Sequence, residues 1–155
     1  MLKIRTLKTE NRAGCPVTDE RQPRFSFSLE SDRNGAALRE AVFALGDWTK
    51  KTSEQATVYD GPALQPRTAY TLSLTATDDQ GETAAASMRF ETGKLEEAWQ
   101  GEWISHPGYC FREKKISPRP LHFQKRFPAA GGIVSARLYC TALGQIGRAS
   151  CRERV

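Results

Sequence analysis

At 155 residues, with 39% hydrophobic and 26% charged residues, the chain is long enough for one domain or two small ones, either able to bury a core. No apolar run approaches the roughly 20 residues a membrane-spanning helix needs, and the N-terminal MLKIRTLKTENRAG has no apolar core of signal-peptide length. The chain is therefore not expected to be a membrane protein, a cytoplasmic location is expected, and the formal net charge of +5 describes a mildly basic molecule.

Leu2 and Ile4 alternate with Lys3 and Arg5, with Thr6 continuing the series, which predicts a short edge strand with a charged outer face. Residues 9–23 contain Asn11, Gly14, Pro16, Asp19 and Pro23 and read as loop. Pro23 then opens a second strand, RFSFSLES, with Phe25, Phe27 and Leu29 inward. The run Ser31-Asp32-Arg33-Asn34-Gly35 is a turn, with Asn34-Gly35 suited to positive φ. Residues 36–45 fit two patterns: Leu38, Ala41, Val42 and Leu45 share a helical face, whereas Ala41, Phe43 and Leu45 share a strand face, and propensity alone favours the helix. Residues 46–55 read as a polar connection around Trp48. Residues 57–59 form a short strand closed by Asp60-Gly61-Pro62, and Leu64 is expected to plug the core.

The strongest pattern lies in residues 69–93. Tyr70, Leu72, Leu74 and Ala76 fall on one face of an extended chain, Asp78-Asp79-Gln80-Gly81 supplies turn formers, and Ala84, Ala86, Met88 and Phe90 resume the alternation. Thr71, Ser73, Thr75 and Thr77 occupy the opposite face, as in a half-solvated antiparallel hairpin. Five or six short strands in the first 93 residues predict an all-β chain that begins with a fibronectin type III/immunoglobulin-like β-sandwich. The lack of a Cys…Trp…Cys framework weighs against a true immunoglobulin domain. After a linker at 94–100, Trp103-Ile104 opens a second unit in which residues 122–127 and 133–141 alternate as strands. Cys15, Cys110 and Cys140 have no C-x-x-C spacing, so a disulfide framework is not expected and ordinary buried or half-buried thiols are.

Several blocks, in order, resemble the opening of bacterial α-L-rhamnosidases, inverting glycoside hydrolases that remove terminal rhamnose. These are Pro23-Arg24-Phe25-Ser26-Phe27, Tyr59-Asp60-Gly61-Pro62 with Leu64, Arg67-Thr68-Ala69-Tyr70, Asp79-Gln80-Gly81, Phe90-Glu91-Thr92-Gly93, Trp103-Ile104, and Ser135-Ala136-Arg137-Leu138-Tyr139 with Ala142-Leu143-Gly144. Departures also occur: Leu72 and the run Ala86-Ser87-Met88 stand where the family usually carries tryptophan. The resemblance implies a strand at 39–45, a fibronectin-like sandwich over 1–94, and the truncated start of a jelly-roll domain over 95–145. An (α/α) barrel with the active site would lie further on. Residues 146–155, IGRASCRERV, resemble translated sequencing adapter and are expected to be a non-native tail. Setting aside their net +2 leaves +3 for residues 1–145.

The resemblance thus implies a non-catalytic N-terminal piece of an α-L-rhamnosidase, inactive by itself, that packs within its chain on downstream domains and supports the barrel. Rhamnose-containing glycosides would engage only the absent catalytic domain. The alternative is a stand-alone carbohydrate-binding or adhesion module. No catalytic, metal or cofactor residues are assigned, and no cofactor, nucleic acid or membrane partner is expected. The adjacent acids Asp78-Asp79 and Glu96-Glu97 lie in a turn and a linker, where neighbours point apart. His106, Cys110 and His122 are scattered potential ligands in a Pro/Gly loop and weak support for a metal. Arg112, Lys114, Lys115, Arg119, Lys125 and Arg126, interleaved with Phe111, Phe123 and Phe127, fit a solvated surface as well as a nucleic-acid groove. Trp99, Trp103 and Tyr109 are the candidate aromatics, for sugar stacking or for sealing a domain junction.

Overall fold

The computed structural model describes residues 1–104, 123–126, 128, 131–134 and 136–141. The chain divides into two compact units, Met1–Glu102 and Trp103–Val155. The first contains eight strands: β1 (Leu2–Thr9), β2 (Val17–Thr18), β3 (Arg24–Ser31), β4 (Leu38–Leu45), β5 (Trp48–Thr52), β6 (Ala56–Val58), β7 (Ala69–Asp78) and β8 (Thr83–Thr92). They form a three-stranded sheet in the order β1-β3-β6 and a five-stranded sheet in the order β2-β8-β7-β4-β5. All pairings are antiparallel except β2 with β8, so the chain leaves the first sheet after β1 and contributes a short parallel strand to the second.

Alternation decides which side of each strand is buried. In β7, Leu72, Leu74 and Ala76 are buried; opposite them in β8 are Met88, Ala86 and Ala84, while Tyr70 faces Phe90. The outward residues Thr71 and Ser73 of β7 are exposed, as is Thr75, in keeping with the hairpin pattern. The two sheets close on one core, with Leu7, Phe25 and Phe27 from the smaller sheet against Phe43, Leu72, Leu74 and Phe90 from the larger. Phe25 is at its centre, with ring centroids 6.3 Å from Phe43, Trp48 and Tyr59 and 5.7 Å from Phe90. Leu64 is buried in this cluster.

Residues 38–45 form a strand, as the resemblance implies and against their helix propensity. Pairing with β5 on one side and β7 on the other buries Ala41, Phe43 and Leu45, whereas the helical stripe omits Phe43. Two elements differ from expectation. The connection read at 46–55 contains β5, whose inward positions are Trp48, Lys50 and Thr52, a set without the apolar signature of a strand. The loop read at 9–23 contains β2, which is two residues long and is made by its pairing with β8. In the 31–35 turn the positive φ belongs to Gly35 alone, at 75°.

In the second unit, the strands expected at 122–127 and 133–141 do not form at their described positions, and Phe123, Ile133, Val134 and Leu138 are exposed. Alternation specifies which face of a strand would be buried; the strand itself needs a ladder partner and a covered face. His122, Phe127 and Ser135 lie outside the described residues. Cys15 and Cys140 are free and exposed rather than buried.

Candidate functional site

The acid pairs singled out in the sequence are both engaged by basic residues. Asp78 ends β7 with its carboxylate buried. Its Oδ1 accepts the amides of Gln80 at 2.9 Å and Glu82 at 2.8 Å, while its Oδ2 accepts Arg33 Nη2 at 3.0 Å. The same guanidinium pairs with Asp79, whose Oδ1 also accepts the Ala37 amide at 3.2 Å. Burial pushes the Asp78 carboxyl up, but the hydrogen bonds from Arg33 and from the Glu82 and Gln80 amides outweigh it, and the pKa lies below its ordinary value. Asp79 is lowered chiefly by Arg33. Both carboxylates therefore bind the 31–37 turn to the β7–β8 turn, where Gly81 adopts φ 86°. Glu97 accepts Arg67 Nη2 at 2.7 Å and Glu96 pairs with Arg21. All four carboxylates are therefore paired with arginine side chains of the first unit.

A third polar cluster, not anticipated in the sequence, joins β5 to the Asp60-Gly61-Pro62 turn. Trp48 Nε1 donates to Asp60 Oδ1 at 2.8 Å, Lys50 Nζ to Asp60 Oδ2 at 2.6 Å, and the Tyr59 hydroxyl to the Pro62 carbonyl at 2.8 Å. A Cβ at Gly61 would lie 2.7 Å from both the Trp48 and Tyr59 rings, so glycine is required by the packing. The hydrogen bond from Lys50, then that from Trp48, holds the Asp60 carboxyl below its usual range. This is a fastening of the core aromatics rather than a reactive site. Its signal in the sequence is the Tyr-Asp-Gly-Pro run, but the partners on β5, Trp48 and Lys50, carry no motif.

The remaining candidate residues follow β8 in the chain. Trp99 is 53% exposed, with Lys94 Nζ 5.5 Å from the ring centroid. A cavity of about 420 Å³ lies among Arg21, Ala63, Leu64, Pro66, Leu95 and Glu96, with apolar residues on one part of its lining and an ion pair on another. Trp103 belongs to the second unit and is 66% exposed. Tyr109, His106, Cys110 and His122 lie outside the described residues, as do Phe111, Arg112, Lys114, Lys115 and Arg119. Lys125 and Arg126 are exposed. Among the described residues no three His, Cys, Asp or Glu side chains are grouped to hold a metal ion.

Residues 4–96, more than half of the chain, match the family model described as the N-terminal immunoglobulin domain of Rha78A-like proteins. The chain belongs to this family. As a Rha78A-like immunoglobulin domain it has no Cys…Trp…Cys framework; the Phe25, Phe43 and Phe90 rings fill the centre instead. Among solved structures, the domain is similar to the α-L-rhamnosidase of Streptomyces avermitilis complexed with L-rhamnose, at 24% identity and a TM-score of 0.62 over 69% of this chain and 12% of that one. It is also similar to the α-L-rhamnosidase of Dictyoglumus thermophilum, at 23% identity and a TM-score of 0.60 over 66% of this chain and 14% of that one. A third similarity, to the enzyme of Aspergillus terreus, has 16% identity and a TM-score of 0.52, covering 60% of this chain and 12% of that one. These likenesses establish a shared all-β sandwich, and the chain spans only 12 to 14% of the first two enzymes. No curated protein matches it.

Proposed function

We propose that the chain is the non-catalytic N-terminal part of an α-L-rhamnosidase, a sandwich that supports a catalytic domain acting on terminal α-L-rhamnose of glycosides. The observation that carries this reading is the family match across residues 4–96, a domain defined by its N-terminal position in Rha78A-like proteins. The carboxylate pairs support it from the chemical side: Asp78 and Asp79 share one arginine, and Glu96 and Glu97 each face another. Their interactions fasten turns and the exit segment. Reading the source DNA through the codon for Gly144 tests the proposal. The frame is expected to continue into further β structure and a long helical domain with paired acids; a natural stop near that codon overturns it in favour of a small β-rich binding module.

A further inference from the structure

The segment by which the chain leaves the sandwich, residues 93–97, is held from several sides. The Gly93 amide donates to the Thr18 carbonyl at 2.8 Å, and its own carbonyl accepts the Arg67 amide at 2.8 Å. The Asp19 carboxylate lies directly against Gly93: a Cβ there would clash with both of its oxygens. Asp19 Oδ1 also accepts the Leu95 amide at 3.0 Å. Leu95 has φ 49°, an uncommon conformation for a bulky residue, and its side chain is half-buried against the core. Glu97 closes a turn through its amide to the Lys94 carbonyl at 2.9 Å, and its carboxylate meets Arg67.

Exposed ion pairs alone would fasten such a segment weakly. Here the close glycine contact, the capped amide and the anchored leucine act together on five residues. A leucine in a free linker would relax to negative φ; this one is held by Asp19 on its amide and by the core on its side chain. We propose that residues 93–97 form a clamped joint that fixes the direction in which the chain exits the sandwich, in place of a free hinge. A flexible tether is built from small polar residues without fixed partners; this segment has one small residue, Gly93, and that glycine is itself pinned by Thr18 and Asp19. The inference rests on the sandwich alone and stands apart from the rhamnosidase reading.

Amide hydrogen exchange on the full chain tests it. The Leu95 and Glu97 amides are expected to exchange at least about tenfold more slowly than in an unstructured peptide. In Asp19→Ala that protection falls toward the free-peptide rate while β4 and β7 amides are unchanged, and Asp19→Asn, which retains an acceptor oxygen, preserves it. Free-peptide rates in the unaltered chain overturn the clamp, as does full protection in Asp19→Ala. If Asp19→Ala does not fold, Leu95→Gly removes the side-chain anchor instead, with the same loss expected at Glu97; unchanged protection there overturns the proposal equally.

Discussion

Asp78 shows how far a single residue can be read from its neighbours. Asp-Asp-Gln-Gly marks a turn by composition, and that part of its role is local: the carboxylate accepts two amides within four residues. Its second role is not local, because Arg33 is 45 positions away and reaches it only when the 31–37 turn lies beside the hairpin end. Both roles favour the charged carboxylate. The folded-state pKa of Asp78 lies below the ordinary 3.8, so the stability it contributes is complete above 3.8 and is lost as pH falls through the lower folded-state value. The thermal midpoint of the protein is expected to drop on acidification below pH 3.8, and to drop less in Asp78→Asn, which retains the amide acceptor without the charge. An equal drop in the variant would show that the titration of Asp78 is not coupled to folding. Thermal melts from about pH 7 to about pH 2 make the comparison.

At the scale of elements, the β7–β8 hairpin is legible because both strands alternate strictly about a turn, although Asp78, read as a turn former, is the last residue of β7. The strand β4 is not legible by propensity; its neighbours on both sides select it. The strand β5 carries no legible pattern because it is an edge with Lys50 turned toward Asp60, a device that discourages further pairing and also erases the apolar signal. In β1 simple alternation holds only for Leu2 and Ile4. A register shift between Ile4 and Thr6 leaves Arg5 without a partner in β3 and brings Leu7 and Thr9 inward in place of Thr6. Deleting Arg5 should therefore restore unbroken alternation with the same inward set and change the melting midpoint by no more than about 5 °C. Deleting Ser26 from β3, where Phe25 and Phe27 alternate without a break, turns Phe27 outward and should abolish cooperative unfolding. Differential scanning calorimetry on the two deletions separates these outcomes, and equal damage in both would refute the bulge assignment.

For the whole molecule, the first unit contains both sheets and their shared core, so its stability should not depend on the residues beyond 102. A chain of residues 1–102 is expected to unfold cooperatively with a midpoint within about 2 °C of the full chain's, well under the shift that about 1 kcal/mol produces in a domain of this size. Loss of the cooperative transition, followed by circular dichroism, would mean that residues beyond 102 complete the core. In the second unit, the alternating runs 122–127 and 133–141 read as strands but are not strands at their described positions, with Val134 and Leu138 turned to solvent. Period-2 patterning expresses which face would be buried, and leaves open whether anything is present to bury it.

The sequence by itself determined the all-β class, the main hairpin and its inward residues, and, by the order of its blocks, the family. Each of these rests on near neighbours in the chain: side-chain period, turn formers and short runs such as Phe90-Glu91-Thr92-Gly93. Only the tertiary structure decided that the chain crosses from one sheet to the other at β2 and that Asp19, Gly93 and Leu95 meet. Those outcomes depend on contacts between residues tens of positions apart, whose free energy appears only when both partners are already held by the core.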